Sequence, residues 1–324
     1  MVKSSLSLDS CAELSKGTGK EQKRPQRKRR ASRSAEILTA YGLLLPAAFF
    51  YLGFQFLPIL GAFLISLFQW NGINASDASF IGTQNFRQII QDPIFWSSLR
   101  NNLFVGIAVV VFQCGGAFLL AAIIHAGISG AQIFRIVFFA PVVISSVALG
   151  MLAIFLFSPS IGLINAFLRG INLPGLAQPW LGSSVFALPA VVVTFIWQNI
   201  GFSMLLFLSA LKQVPGEICE AALVDGASQR TILWNIVLPI IRPVAAVIVL
   251  LGVISAFRLF DTVYILTSGG PYHASDVLVT YLYESAFAGN QVGYGNAIGV
   301  ILFVIIFVFA ILQLHFTHAE ESSF

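Results

Sequence analysis

The sequence predicts an all-α integral membrane protein with six transmembrane helices, and composition and patterning both point to that fold class. Of its 324 residues, 57% are hydrophobic, only 10% are charged, and the mean hydropathy is +0.86. Soluble domains carry about 25% charged residues. Long runs without a charged side chain, such as 101–134 and 170–211, lack the alternating polarity of outer-membrane strands. Three widely separated cysteines exclude a disulfide scaffold.

The segments without Asp, Glu, Lys or Arg define the spans in chain order. A helix needs roughly 20 residues to cross the bilayer, and five of these segments are long enough without further assumptions. The fifth span requires Arg258 and Asp261 to lie inside the membrane. The predicted spans are residues 43–68, 103–125, 136–157, 186–210, 244–266 and 294–316.

The first apolar segment, residues 37–76, could hold two helices because Pro46, Gly53 and Pro58 weaken a continuous one. Charge favours a single span. With one span there, 14 of the 18 Lys and Arg residues fall on one side of the membrane. Basic residues accumulate on the cytoplasmic side, so both termini are predicted to be cytoplasmic in a bacterial inner membrane.

The two ends of the chain are predicted to lie outside the membrane-spanning domain. Residues 1–36 form a basic tail, which we expect to be disordered and to contact anionic lipid, with nucleic-acid binding as the less favoured interpretation. The apolar stretch after it exceeds the h-region of a cleaved signal peptide. Residues 37–316 form the six-helix domain, and residues 317–324 form a cytoplasmic C-terminal tail.

The cytoplasmic loop at 212–243 carries unusual sequence signals. Residues 216–224 are predicted to be helical, Gly226 supplies a left-handed stop, and Ser228 caps a second helix that ends at Pro239. Many of its side chains are apolar, and two short helices cannot bury each other's faces. The loop therefore predicts a groove on a partner protein.

Residues of this loop match a known motif. Glu220-Ala221-Ala222, Asp225-Gly226-Ala227, Ile236 and Leu238-Pro239 resemble the EAA motif of ATP-binding-cassette (ABC) importer permeases. Other segments are similar to the carbohydrate branch, of the maltose and glycerol-3-phosphate type. They are Phe80-Ile81-Gly82 with Asn85-Phe86, Phe260-Asp261 with Tyr264, Leu266-Thr267-Ser268-Gly269-Gly270-Pro271, and Gly293-Tyr294-Gly295-Asn296-Ala297.

The resemblance implies a six-helix ABC type I importer permease. Its partners would be a second permease, two ATPase subunits that use ATP and Mg²⁺, and an extracytoplasmic binding protein that delivers a sugar or oligosaccharide. It implies coupling to the ATPase through Glu220, Ala221, Ala222, Asp225, Gly226, Leu238 and Pro239. The chain itself has no GxxxxGK[ST] phosphate loop, so we expect it to bind no cofactor and to hydrolyse no ATP.

Polar residues inside the predicted spans are candidates for a substrate path. Arg258 and Asp261 are three residues apart and predicted to pair across one helical face, which favours a structural role over substrate contact. Uncharged polar and aromatic side chains suit a hydroxyl-rich ligand, although interhelical hydrogen bonding explains them equally well. These candidates are Trp197, Gln198, Asn199, Ser203, Ser255 and Tyr264.

Two other classes of protein remain as alternatives. An ion-coupled secondary transporter would need carboxylates at the midplane, where only Asp261 qualifies. An intramembrane enzyme would need a nucleophile with a base or a metal cluster. The four histidines lie at span ends or in loops, and we assign them neither catalysis nor metal. The long outer segments 69–102 and 267–293 are the largest surfaces predicted for an extracytoplasmic partner.

Overall fold

The computed structural model describes Thr39 and residues 41–321. The basic tail 1–36 and residues 322–324 of the predicted C-terminal tail lie outside the described residues. The chain divides into two units, residues 1–59 and 60–324. The described part of the first unit belongs to one helix, α1 (Tyr41–Ile65), so the segment 37–76 forms one span rather than two.

The chain then makes a short hairpin and enters a long helix. Strands β1 (Phe68–Gln69) and β2 (Ser79–Phe80) pair antiparallel, with Phe68 opposite Phe80. Helix α2 (Gln84–Gln91) follows, and Asp92 ends it while capping α3 (Pro93–His125). Pro93 begins α3 because the first turn of a helix needs no backbone N–H from that position. The helix starts ten residues before the predicted span.

The third predicted span is not one continuous helix. It consists of α4 (Ala131–Val143) and α5 (Ser146–Leu156), which are bent by 103°. Ile144 between them is extended, with φ −75° and ψ 135°. Pro141 removes one backbone N–H from the last turn of α4, which weakens the helix before the break. After α6 (Leu163–Gly170) and two short 3₁₀ turns, α7 (Ala187–Leu211) forms the fourth span.

The segment after α7 is helical throughout most of its length. Helix α8 (Gly216–Val224) is followed by α9 (Gln229–Ile240), α10 (Arg242–Phe257) and α11 (Asp261–Leu266). Helices α9 and α10 are bent by 77°. Helix α9 contains a π segment at Leu233–Val237, and Pro239 lies inside the helix rather than ending it. A proline is tolerated there because it occupies the first turn after the π segment.

The chain ends with α12 (Leu278–Tyr283), a π segment at Glu284–Ala288, and α13 (Val292–Glu321). By length and apolar composition the described residues contain four helices able to cross a membrane, or six spans if each bent pair counts as one. The larger of two hydrophobic clusters centres on α3 and α7. The second joins α3, α10, α12 and α13. These clusters fix where the two ends of the span bundle present their polar residues.

Candidate functional site

The segment between α7 and α10 forms a rigid corner. Helix α8 ends where Gly226 adopts a φ of +83°, which strongly favours glycine. The backbone N–H of Ala227 then bonds to the carbonyl of Ala222 at 2.9 Å. The Ser228 hydroxyl accepts a hydrogen bond from the backbone N–H of Thr231 at 3.1 Å and caps α9. The predicted helix, glycine stop and serine cap are confirmed.

One face of α8 is turned outward and the other packs inward. Glu220, Ala221 and Asp225 are exposed, while Ala222 packs against the larger hydrophobic cluster. Successive helical residues point about 100° apart, so the two alanines of the motif do not form one common contact face. Apolar side chains dominate the outer face, and Val224 is 88% exposed. The name coupling surface denotes Glu220, Ala221, Leu223, Val224 and Asp225 below.

The remaining motif residues lie on α9. Leu238 is partly buried against the larger cluster, whereas Pro239 is exposed. Trp234, in the π segment of the same helix, packs edge-on against Phe118 of α3 with ring centroids 5.6 Å apart. Helix α9 is therefore anchored to the span bundle through its inner face, and it supports the preceding helix α8.

Two predicted path residues are buried and hydrogen-bonded within the protein. Gln198 of α7 is only 8% exposed, and its amide nitrogen lies 3.3 Å from both the Ile144 carbonyl and the Ser146 hydroxyl. It therefore donates to the backbone at the break between α4 and α5. Ser203 is also buried and lies 3.1 Å from the amide nitrogen of Gln113 in α3.

Two others bond within their own helices. Asn199 donates to the Phe195 carbonyl and Ser255 donates to the Leu251 carbonyl, each at 2.9 Å. Such bonds to the preceding turn satisfy a polar side chain in an apolar setting without a partner helix. Neither bond therefore joins two helices, unlike those of Gln198 and Ser203.

The two aromatic candidates are exposed, as is Ser255. Trp197 is 40% exposed and lines a small apolar cavity of about 180 Å³ between α5, α6 and α7. Tyr264 is 44% exposed and stacks on Phe260 at 5.1 Å. Tyr283 meets the Tyr264 ring edge-on at 5.4 Å. These three rings form a half-exposed aromatic cluster.

The predicted Arg258–Asp261 geometry is wrong. Helix α10 ends at Phe257 and α11 begins at Asp261, with a non-helical Phe260 between them. The two charged residues therefore do not share a face of one helix. Arg258 and Asp261 form no ion pair with each other in the part of the chain that the structure describes.

Sequence reasoning missed two asparagines that fasten α3 to distant segments. Asn101 donates to the carbonyls of Ala274 and Asp276 at 3.1 and 2.8 Å. Asn102 donates to the Ala256 carbonyl at 3.2 Å and accepts from the Leu278 backbone at 2.7 Å. Both residues are buried. Their only signal was an Asn-Asn pair next to the predicted start of the second span.

A partly buried carboxylate at the start of α3 is a second missed feature. Asp92 accepts hydrogen bonds from the hydroxyls of Tyr281 and Tyr294, the latter at 2.5 Å, and from the Ile94 backbone at 2.9 Å. Burial alone would raise the pKa of Asp92, but these hydrogen bonds outweigh it and hold the pKa below its ordinary value. Burial and the bond to Asp92 raise the pKa of Tyr281 to about 12.

His273 lies in the loop between α11 and α12, and its side chain is 37% exposed. Its Nδ1 lies 2.5 Å from the buried carboxylate of Asp276 and 3.6 Å from Glu284. The other oxygen of Asp276 accepts from the Thr280 hydroxyl at 2.8 Å. Ligand atoms of His273, Asp276 and Glu284 lie within 4.8 Å of one another. In this structure the imidazole and the buried carboxylate satisfy each other by hydrogen bonding.

Comparison with known proteins identifies the architecture. A family model described as "Binding-protein-dependent transport system inner membrane component" matches residues 115–319, well over half of the chain. The chain belongs to this family. The predicted permease fold is thereby confirmed, and the chain is a membrane subunit of a transporter rather than an enzyme.

Several curated permeases resemble the chain over most of their length. A probable ABC transporter permease of Bacillus subtilis, YurN, is 35% identical, with 87% of this chain and 97% of that protein covered. MsmF, a permease of a multiple sugar-binding transport system in Streptococcus mutans, is 31% identical, with 86% and 93% covered. NgcF, a permease of a diacetylchitobiose uptake system in Streptomyces coelicolor, is 32% identical, with 89% and 84% covered.

Solved structures agree on the fold. A bacterial ABC transporter involved in the import of the acidic polysaccharide alginate matches with a TM-score of 0.77 at 23% identity, covering 90% of this permease and 99% of that chain. A second structure of such a transporter, in complex with an alginate pentasaccharide-bound periplasmic protein, matches equally well at 24% identity.

Proposed function

We propose that this permease is one membrane subunit of an ATP-driven, binding-protein-dependent importer of a sugar or oligosaccharide. The coupling surface carries the proposal, because it exposes apolar side chains on a firmly anchored helix next to a fixed glycine turn. Such a surface suits a groove on another protein. The substrate class rests on the curated relatives, which include permeases named for sugar and oligosaccharide transport.

The proposed partner at the coupling surface is an ATPase subunit, one of two in the complex. Val224 and Leu223 would fill its groove, while Glu220 offers a carboxylate to an arginine or a helix N-terminus. ATP and Mg²⁺ would be bound by that subunit. Closure of the two ATPase subunits would draw this permease and a second permease together and open a path between them.

The substrate path in this proposal uses the exposed aromatic residues rather than all six candidates. Trp197 and the Tyr264 ring with its neighbours present apolar faces and a hydroxyl, which suit the two sides of a sugar ring. Gln198 and Ser203 have intramolecular partners, so we assign them to helix packing. The side chains of Asn199 and Ser255 bond to carbonyls of their own helices, so we leave them outside the proposed path.

We further propose that both termini are cytoplasmic and that the outer segments meet the binding protein. The segment after α11 contains Tyr272, which is 97% exposed, and the hairpin β1–β2 exposes Ile73 and Phe80. Exposed apolar residues on two neighbouring outer segments suit a docking partner. Asn101 and Asn102 of α3 hold the segment after α11 through bonds to the backbone of Ala274, Asp276 and Leu278.

The test uses the assembled importer in reconstituted vesicles. Gly226→Asp would force a non-glycine residue into a φ of +83°, and Glu220→Lys would reverse the charge on the coupling surface. We expect each variant to lower ATP-dependent sugar uptake at least about tenfold, as the loss of roughly 1.4 kcal/mol of binding free energy to the ATPase subunit would do. The permease should still insert into the membrane. The control is Gln132→Lys, an exposed change outside this surface. Uptake that survives both changes, or ATP hydrolysis by the isolated permease, would contradict the proposal.

A further inference from the structure

A polar cavity lies on the membrane side opposite the coupling surface when each bent helix pair is counted as one span. It has a volume of about 560 Å³ and is bounded by the hairpin β1–β2, helix α2 and the turn before α13. Cavities of about 300–1,000 Å³ are the size that small ligands occupy. It is separate from the aromatic path candidates and from the coupling surface.

Carboxamide side chains dominate the lining of this cavity. Five of these carboxamide groups are exposed, and their side chains make no hydrogen bond within the described part of the chain: Gln69, Gln84, Gln88, Asn290 and Gln291. Each carboxamide offers two N–H donors and an oxygen with two acceptor positions. A ligand with many hydroxyl groups can use both, because a hydroxyl donates and accepts as well.

The frame around these free side chains is fixed. Asn85 is buried and donates to the carbonyls of Ser66 and Phe68 at 2.8 and 3.0 Å. The indole N–H of Trp70 donates to the Asn74 carbonyl at 2.8 Å, so the ring is held at the cavity wall. The Gly293 backbone also donates to the Trp70 carbonyl at 3.2 Å. A fixed frame lowers the ordering cost that a ligand must overcome.

The charge of the cavity lining favours uncharged hydroxyl-rich ligands over anionic ones. Asp77 is the charged residue of its lining, and its carboxylate lies 3.3 Å from the Asn71 amide nitrogen. Lys and Arg do not line this cavity in the described part of the chain. A phosphate or uronate group would therefore meet a carboxylate without a compensating cation. Trp70 adds an apolar ring face, which suits the C–H face of a neutral sugar.

We propose that this cavity binds a neutral oligosaccharide on the outer face of the permease, apart from the path through the spans. The inference rests on the proposed sugar import and adds an extracytoplasmic site and a preference for uncharged substrates. Docking of a loop from the binding protein would use the same polar surface, and the experiment below separates the two occupants.

The experiment measures ligand binding and transport separately on the complete importer in lipid nanodiscs, without its binding protein. Saturation-transfer NMR is recorded with maltotriose, raffinose and N,N′-diacetylchitobiose as neutral probes, and with glycerol 3-phosphate and a galacturonate trimer as anionic probes. The test variant is Gln84→Leu/Gln88→Leu. The matched control, Gln91→Leu/Gln132→Leu, changes two exposed glutamines outside the cavity, one of them on the same helix.

We expect at least one neutral probe to receive saturation and neither anionic probe to do so. The cavity variant should bind that probe about tenfold more weakly, as expected for the loss of two hydrogen-bonding side chains, and the control should bind normally. Saturation of no neutral probe or equal probe binding by both variants would overturn the proposal. It would also be overturned if the cavity variant, in a parallel titration with the binding protein added, weakened only the binding of that protein. ATP-driven uptake of the same probes with the binding protein present tests sugar import independently, so the two failures are distinguishable.

Discussion

Asp92 combines a helix cap with a partly buried hydrogen-bond acceptor. Its side chain accepts from the Ile94 backbone at the start of α3 and from the hydroxyls of Tyr281 and Tyr294. One carboxylate thereby joins the start of α3 to α12 and to the start of α13. A charged acceptor makes stronger hydrogen bonds than a neutral one, so this residue contributes more than a neutral cap would.

Asp92→Asn tests the charge without removing the cap, because asparagine is an equally good N-cap. We expect the variant to lower the free energy of unfolding by about 1–2 kcal/mol at neutral pH, since partial solvent contact weakens the loss. The folded pKa of Asp92 lies below the unfolded value of about 3.9. Its contribution is therefore present above that value and disappears as pH falls through the folded pKa.

The measurement is thermal unfolding of wild type and variant in nanodiscs from pH 7 down to the lowest pH at which both stay soluble. The difference between them should shrink only on the acid side of about pH 4. Tyr294→Phe serves as the control that removes one donor but keeps the carboxylate. A difference that stays constant down to the acid limit would contradict the role of the charge.

At the scale of single elements, the break in the third span leaves a backbone carbonyl without a helical partner, and the side chain of Gln198 donates a hydrogen bond to it. A break frees backbone groups that a continuous helix would satisfy, and in lipid each such group requires an internal partner. Gln198 of α7 reaches the Ile144 carbonyl at the break, and Ser146 of α5 lies equally close to the amide. A polar residue that resembled a ligand contact in the sequence thus has a backbone partner.

Gln198→Leu should destabilise the protein by about 1–2 kcal/mol, because the Ile144 carbonyl loses its side-chain partner. Asn199→Leu is the matched control, since the Asn199 amide bonds only to the Phe195 carbonyl of its own helix. Thermal unfolding and sugar uptake are measured on the same preparations. If Gln198→Leu abolished uptake while leaving the unfolding temperature unchanged, direct ligand contact would explain Gln198 better than packing.

The difference between prediction and structure at this scale has a physical cause. The helix α8, the Gly226 turn and the Ser228 cap were predictable because each depends on side-chain chemistry within a few residues. The bend after Val143 depends on which neighbour supplies a hydrogen bond, and Gln198 lies over fifty residues away. Asn101 and Asn102 were missed for the same reason, since their partners lie more than 150 residues away in sequence.

At the scale of the whole molecule, charge and hydropathy predicted six spans, and the described residues contain four continuous helices and two bent pairs in those places. The α4–α5 pair is bent by 103°, a geometry compatible with either a broken span or a re-entrant loop. The two possibilities place the later segments differently. A re-entrant pair would leave the residues before α4 and after α5 on one side, and it would put the coupling surface outside and Tyr272 inside. That arrangement would move Lys212, Arg230 and Arg242 outside, against the basic-residue rule.

Single-cysteine labelling in a background without Cys11, Cys114 and Cys219 decides between them. Ser129 precedes α4 and Gly175 follows α6, and both are exposed, as is Tyr272 on the proposed outer face. We expect a membrane-impermeant maleimide to label Gly175→Cys and Tyr272→Cys in intact cells, and Ser129→Cys only after permeabilisation. Ser275 is fully buried and would report poorly. Labelling of Ser129→Cys and Gly175→Cys from the same side would make the α4–α5 pair re-entrant and would reverse the topology of every later span.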